Sequence, residues 1–201
     1  VVSLVGKAGS GKTLVAIAAG LEQVINTLDV KYSLRKASKD DHSYKRLVVS
    51  RPIMPMGKDI GFLPGSMEEK MAPWLAPVQD NLKFLTGDDQ TTLDDYMERG
   101  IIEMEALTYI RGRSIANAYI VIDEAQNLTA HEIKTILTRV GEGTKIVLTG
   151  DIEQIDNIYI NEMSSGLTHA VEKMKEYAIT GHVTLKKGER SQVATLAAKV
   201  L

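Results

Sequence analysis

The 201 residues carry a net charge of −2, with 44% apolar and 25% charged side chains, an ordinary globular balance with chain enough for one core. That charge excludes a global basic field for polyanions, and the absence of cysteine excludes disulfides and thiolate metal sites. No apolar run approaches a membrane span and no signal peptide is visible, so a cytoplasmic protein without membrane contact is expected. The chain opens inside a strand without a starting Met, which reads as a single domain, 1–201, taken from a longer chain.

Val1-Val2-Ser3-Leu4-Val5 reads as a buried strand and runs into Gly6-Lys7-Ala8-Gly9-Ser10-Gly11-Lys12-Thr13. This fits the phosphate-binding pattern G-x-x-x-x-G-K-[ST], in the strand–loop–helix context it requires. Glycines let successive N–H groups turn inward as an anion nest, and the following helix adds its positive end. Lys12 can reach the β- and γ-phosphates of ATP, and the Thr13 hydroxyl can hold Mg²⁺. Leu14, Ile17, Ala18, Leu21, Ile25 and Leu28 then recur at helical spacing, predicting a helix to about residue 28. Residues 29–46 mix basic side chains with acids and serines, either a solvated loop or a local polyanion contact.

Leu47–Ser50 reads as a second strand stopped by Pro52. Arg51 falls at its carboxyl end, the edge where open α/β sheets bind ligands. Residues 53–66 form a long loop with apolar side chains, either functional or packed over the core. Ser66-Met67-Glu68-Glu69 is a capping box, and Pro73 and Pro77 predict a kinked or broken helix to about residue 85. Trp74 is read as core, with a base-stacking platform as the alternative. A short helix over Thr92–Arg99 ends at Gly100, and a strand follows over Ile101–Ala106. Arg111 and Arg113 flank Gly112, either in a solvated turn or binding phosphate from nucleotide or polynucleotide.

Tyr119–Ile122 reads as a buried parallel strand ending in Asp123-Glu124. Asp123 has the Walker B position and holds Mg²⁺, directly or through water. Glu124 acts as general base on a water in line with the γ-phosphate. Adjacent acids on a strand face opposite ways, but a turn at its end can aim both at the loop. Thr129-Ala130-His131-Glu132 caps another helix, and Lys145–Thr149 is a further buried strand. After it, Gln154 is either a γ-phosphate sensor that orients the water or part of an Asp/Gln turn. A helix around Leu167–Met174, a strand over His182–Lys187 ending near Arg190, and a closing helix over Val193–Val200 complete the chain. This alternation predicts an α/β three-layer P-loop NTPase sandwich with a mainly parallel sheet, its chemistry at the strands' carboxyl edge.

The ordered set GKAGSGKT, SRPIMPMGKDIGFLPG, YIRGRS, VIDEAQN, LTGDIEQID and KKGERS resembles the ATPase domain of the PhoH family over nearly the whole chain. These are phosphate-starvation-inducible-type proteins related to superfamily 1 helicases. SRPIMPMGKDIGFLPG is most similar to members whose ATPase follows a PIN ribonuclease domain. The resemblance implies a RecA-like sheet, Mg²⁺-dependent ATP hydrolysis coupled to RNA, and a ring-like homo-oligomer, a hexamer. It matches Gly150-Asp151 with Gln154 to helicase motif III, and Arg190 to a motif IV arginine acting in cis. Arg111 and Arg113 are then contacts in trans or to RNA. Two other classes are weighed, a slow nucleotide-gated interaction switch and a small-molecule kinase. Glu124 and Gln154 favour water over a kinase acceptor.

Overall fold

A computed structural model describes residues 1–30, 44–52, 67–107 and 114–188. Its strands are β1 (Val2–Gly6), β2 (Arg46–Arg51), β3 (Ile102–Ala106), β4 (Ala118–Ile122), β5 (Lys145–Gly150) and β6 (Gly181–Leu185). Its helices are α1 (Lys12–Val30), α2 (Met67–Leu85), α3 (Gln90–Glu98), α4 (Ala130–Leu137) and α5 (Gly166–Met174). The strands form one sheet in the order β3-β2-β4-β5-β1-β6, and every pairing is parallel.

Both faces of the sheet are covered, which is why β4 is apolar at every position rather than alternating. Tyr119 and Val121 pack with Ile17, Leu21 and Val24 of α1 and with Val78 and Leu82 of α2. Ile120 and Ile122 point to the other face, against Ile133 and Ile136 of α4 and Leu167 of α5. The three-layer α/β sandwich is therefore present, with a sheet that is parallel throughout.

Three local expectations change. Helix α2 runs unbroken through Pro73 and Pro77. Both prolines lie on the exposed side while Val78 and Leu82 are fully buried opposite, so packing outweighs the missing backbone donors. Trp74 is half-buried on that helix rather than in the core. Helix α3 starts earlier, at Gln90, because the Asp89 carboxylate accepts from the N–H groups of Thr91 at 3.0 Å and Thr92 at 3.4 Å. The loop 53–66, the arginines Arg111 and Arg113, and Arg190 with the closing helix lie outside the described residues. Among the described residues no helix is long and apolar enough to cross a membrane.

Strand order decides what meets at the carboxyl edge. β5 sits between β1 and β4, so its end lies between the glycine-rich β1–α1 loop and the acid pair.

Candidate functional site

The loop between β1 and α1 is built by backbone conformation. Gly9 and Gly11 hold φ of 77° and 78°, the left-handed region where a side chain is strained. Lys12 opens α1, and its Nζ donates to the carbonyls of Gly6 at 2.6 Å and Lys7 at 3.0 Å. The ammonium is thus folded onto the loop itself. Lys7 instead pairs with Glu153 at 3.0 Å, an exposed contact.

Next to Lys12, at the second position of α1, the Thr13 hydroxyl donates to Asp123 Oδ1 at 2.7 Å. The Thr149 hydroxyl, at the end of β5, donates to the same oxygen at 2.6 Å. Asp123 is nearly fully buried, and its N–H continues the ladder to the Ser50 carbonyl at 2.8 Å. Among the described residues no group of three acids or histidines could form a metal cage. A hydroxyl and one carboxylate oxygen in contact fit Mg²⁺ all the same, since that ion takes few protein ligands and completes its shell with waters and phosphate oxygens.

Glu124 leaves the strand with φ 54° and ψ 36°, a left-handed conformation worth about 1–3 kcal/mol of strain outside glycine. That turn resolves the facing problem of two consecutive acids. Both carboxylate oxygens of Glu124 have partners. Gln126 Nε2 donates to Oε2 at 2.5 Å, and Arg51 Nη2 lies 3.3 Å from Oε1. Burial, then the neighbouring Asp123 charge, push the Glu124 pKa above the ordinary carboxylate value. The Gln126 bond and the charges of Arg51 and Lys12 pull it back.

The amide of Gln126 is the residue that sequence reading passed over. It is fully buried. Besides Glu124 it donates to the Gln154 carbonyl at 2.9 Å, and its Oε1 accepts the Asp151 N–H at 3.2 Å. The Asp151 carboxylate in turn accepts the Ala8 N–H of the β1–α1 loop at 2.7 Å. Gly150 makes room for this, because a Cβ there would lie 2.7 Å from Gln126 Oε1 and 2.5 Å from a Leu167 methyl. An unbroken series of contacts therefore joins loop, β5 end and acid pair. Gln154 takes part through its carbonyl, while its side chain is exposed. Asn127 continues the series outward, accepting the N–H groups of Asp156 at 2.8 Å and Asn157 at 3.3 Å. Asp151 was singled out by the motif III resemblance; the signal for Gln126 was the polar run after β4, whose link to Asp151 becomes readable only once β4 and β5 are known to be neighbours.

Of the residues singled out from sequence, Gly6–Thr13, Asp123, Glu124 and Arg51 converge at one edge. Arg111, Arg113 and Arg190 lie outside the described residues.

The profile of one protein family, described as PhoH-like protein, matches residues 1–200. Protein PhoH2 of Bacillus subtilis (strain 168) is 54% identical over 202 residues, covering 100% of this chain and 42% of that protein. A PhoH-like protein of the same organism is 40% identical over 171 residues, covering 85% of this chain and 48% of its own length. The chain spans under half the length of these relatives. Among solved structures, Bacteroides Pif1 bound to ssDNA is matched over 98% of this chain and 41% of that chain. Its 13% identity and TM-score of 0.35 mark a likeness too loose to carry an argument.

Proposed function

The chain belongs to the PhoH-like family, and from that premise we propose that it is a P-loop ATPase. In this reading it hydrolyses ATP with Mg²⁺ and couples the cycle to RNA binding, unwinding or remodelling. It works as a cytoplasmic homo-oligomer, a hexameric ring.

The observation that carries the hydrolytic reading is the contact series from Ala8 through Asp151 and Gln126 to Glu124, beside the Thr13–Asp123 bond. The Gly6–Thr13 backbone and Lys12 bind the triphosphate. Thr13 and Asp123 hold the ion, which neutralises charge on the phosphates. Glu124, with a raised pKa, takes a proton from the attacking water, and Gln126 fixes its carboxylate. Gln154 orients that water. Arg190 serves the γ-phosphate in cis, while Arg111 and Arg113 contact RNA or the neighbouring subunit.

Steady-state ATP hydrolysis with and without RNA tests the reading. Stimulation by RNA supports it; phosphoryl transfer to an added small acceptor would replace it with a kinase. Mixing Arg190→Ala and Lys12→Ala proteins should restore nothing, and recovery would move Arg190 to a trans role. A slow nucleotide-gated switch is favoured by one feature, that Glu124 has both oxygens engaged. Low turnover unchanged by RNA would select it.

A further inference from the structure

Beyond the acid pair, residues 155–165 form a shaped loop between β5 and α5. The Asn157 amide donates to the Asn127 carbonyl at 3.0 Å, and its Oδ1 accepts the Tyr159 N–H at 3.1 Å. Asn161 Oδ1 accepts the N–H groups of Met163 at 3.0 Å and Ser164 at 2.9 Å. Ser165 closes the loop by donating to the Gln126 carbonyl at 2.9 Å. These bonds hold a backbone that presents Ile158, Tyr159 and Met163 to solvent at 86%, 87% and 89% exposure. Large apolar side chains grouped on a shaped loop mark an interaction surface. The loop's only charges are Asp156 and Glu162, which repel a polyanion, so RNA is not its partner.

The same chain carries a surface of opposite character. A groove of about 450 Å³ runs between α4 and α5. Its apolar lining includes Ile133, Leu137 and Met174, and Lys134 and Lys173 face it from the two helices beside His131 and His169. Among the described residues no carboxylate lines it. The acids next in sequence are committed elsewhere: Glu132 closes the Thr129 cap at 2.9 Å, and Glu172 pairs with Lys175 at 2.7 Å. Neither Lys134 nor Lys173 meets a carboxylate among the described residues. The loop does not fill the groove of its own chain, as the exposure of its apolar side chains shows.

We propose that the Asp156–Met163 loop of one copy docks in the α4–α5 groove of a second copy of this chain. Apolar side chains meet the apolar lining, and the two acids meet the two lysines. The contact joins unlike surfaces. It rests on the homo-oligomer reading and names the surfaces that reading needs. It also has a route to the chemistry, because Asn127 and Gln126 tie the loop to the segment that carries Glu124.

Charge reversal tests it. One variant carries Lys134→Glu with Lys173→Glu, and the other Asp156→Lys with Glu162→Lys. All four side chains are exposed, so circular dichroism and Tm should match the parent. By light scattering across a concentration series, each variant alone should assemble more than about tenfold more weakly than the parent. Mixed, the two should recover assembly, because each acidic loop then finds a basic groove and each basic loop an acidic one. Parent-like assembly by either variant alone overturns the contact, and so does failure of the mixture to recover. A parent that stays monomeric throughout the series overturns the oligomer reading itself.

Discussion

As the proposed general base, Glu124 has to be ionised to accept a proton, yet burial and Asp123 both favour its neutral form. A carboxyl whose pKa is raised by folding contributes stability below its unfolded value and loses it as pH rises through the folded value. Glu124→Gln should therefore melt at higher temperature than the parent at neutral pH, with the gap closing toward acid. The same variant should keep ATP binding, by calorimetry, while turnover falls by about 10²–10⁴. Arg51 acts in the opposite sense to burial. Arg51→Met removes one influence that holds the Glu124 pKa down, so the acid limb of the kcat profile should move to higher pH. An unmoved limb would take Arg51 out of the site.

At the level of elements, the site depends on how closely β5 and the 3₁₀ turn at Ala125–Asn127 approach. Gly150 permits that approach, and Gly150→Ala would drive a methyl into Gln126 Oε1 and Leu167. Overpacking of this kind costs about 1–3 kcal/mol, so the urea midpoint should fall. Turnover should fall further than stability explains, since the displaced amide is the one that fixes Glu124. A variant that loses stability but keeps kcat would make Gln126 a packing residue only. The same level explains α2 and α3. Proline content and apolar spacing are local signals, but which face of α2 is buried depends on the sheet it lies against. The Asp89 cap, two residues ahead of Thr91, was not read from the sequence and is fixed by the bonds its carboxylate accepts.

For the whole molecule, ligand binding should register as stability. A triphosphate held by loop, Lys12 and Mg²⁺ at a hundredfold excess over its Kd adds about 2.7 kcal/mol, or about 5–11 °C in Tm for a chain of this size. Lys12→Ala should abolish the shift, and chelation of Mg²⁺ should reduce it. A parent without any shift would remove the nucleotide from the proposal. The fold class was readable in advance because strand–loop–helix alternation and fully apolar strands are local patterns, and right-handed crossovers leave few arrangements. The glycine-rich loop before α1 was readable for the same reason, since its pattern and its left-handed glycines lie in one run of consecutive residues. Asp123 and Glu124 were readable because both follow directly from one strand. Thr149, Asp151 and Gln126 enter the site only because β5 is placed between β1 and β4. That order is decided by long-range packing of both sheet faces and leaves no mark on neighbouring residues. Gln154 was legible only as an amide after a strand; that its carbonyl meets Gln126 follows from the same placement.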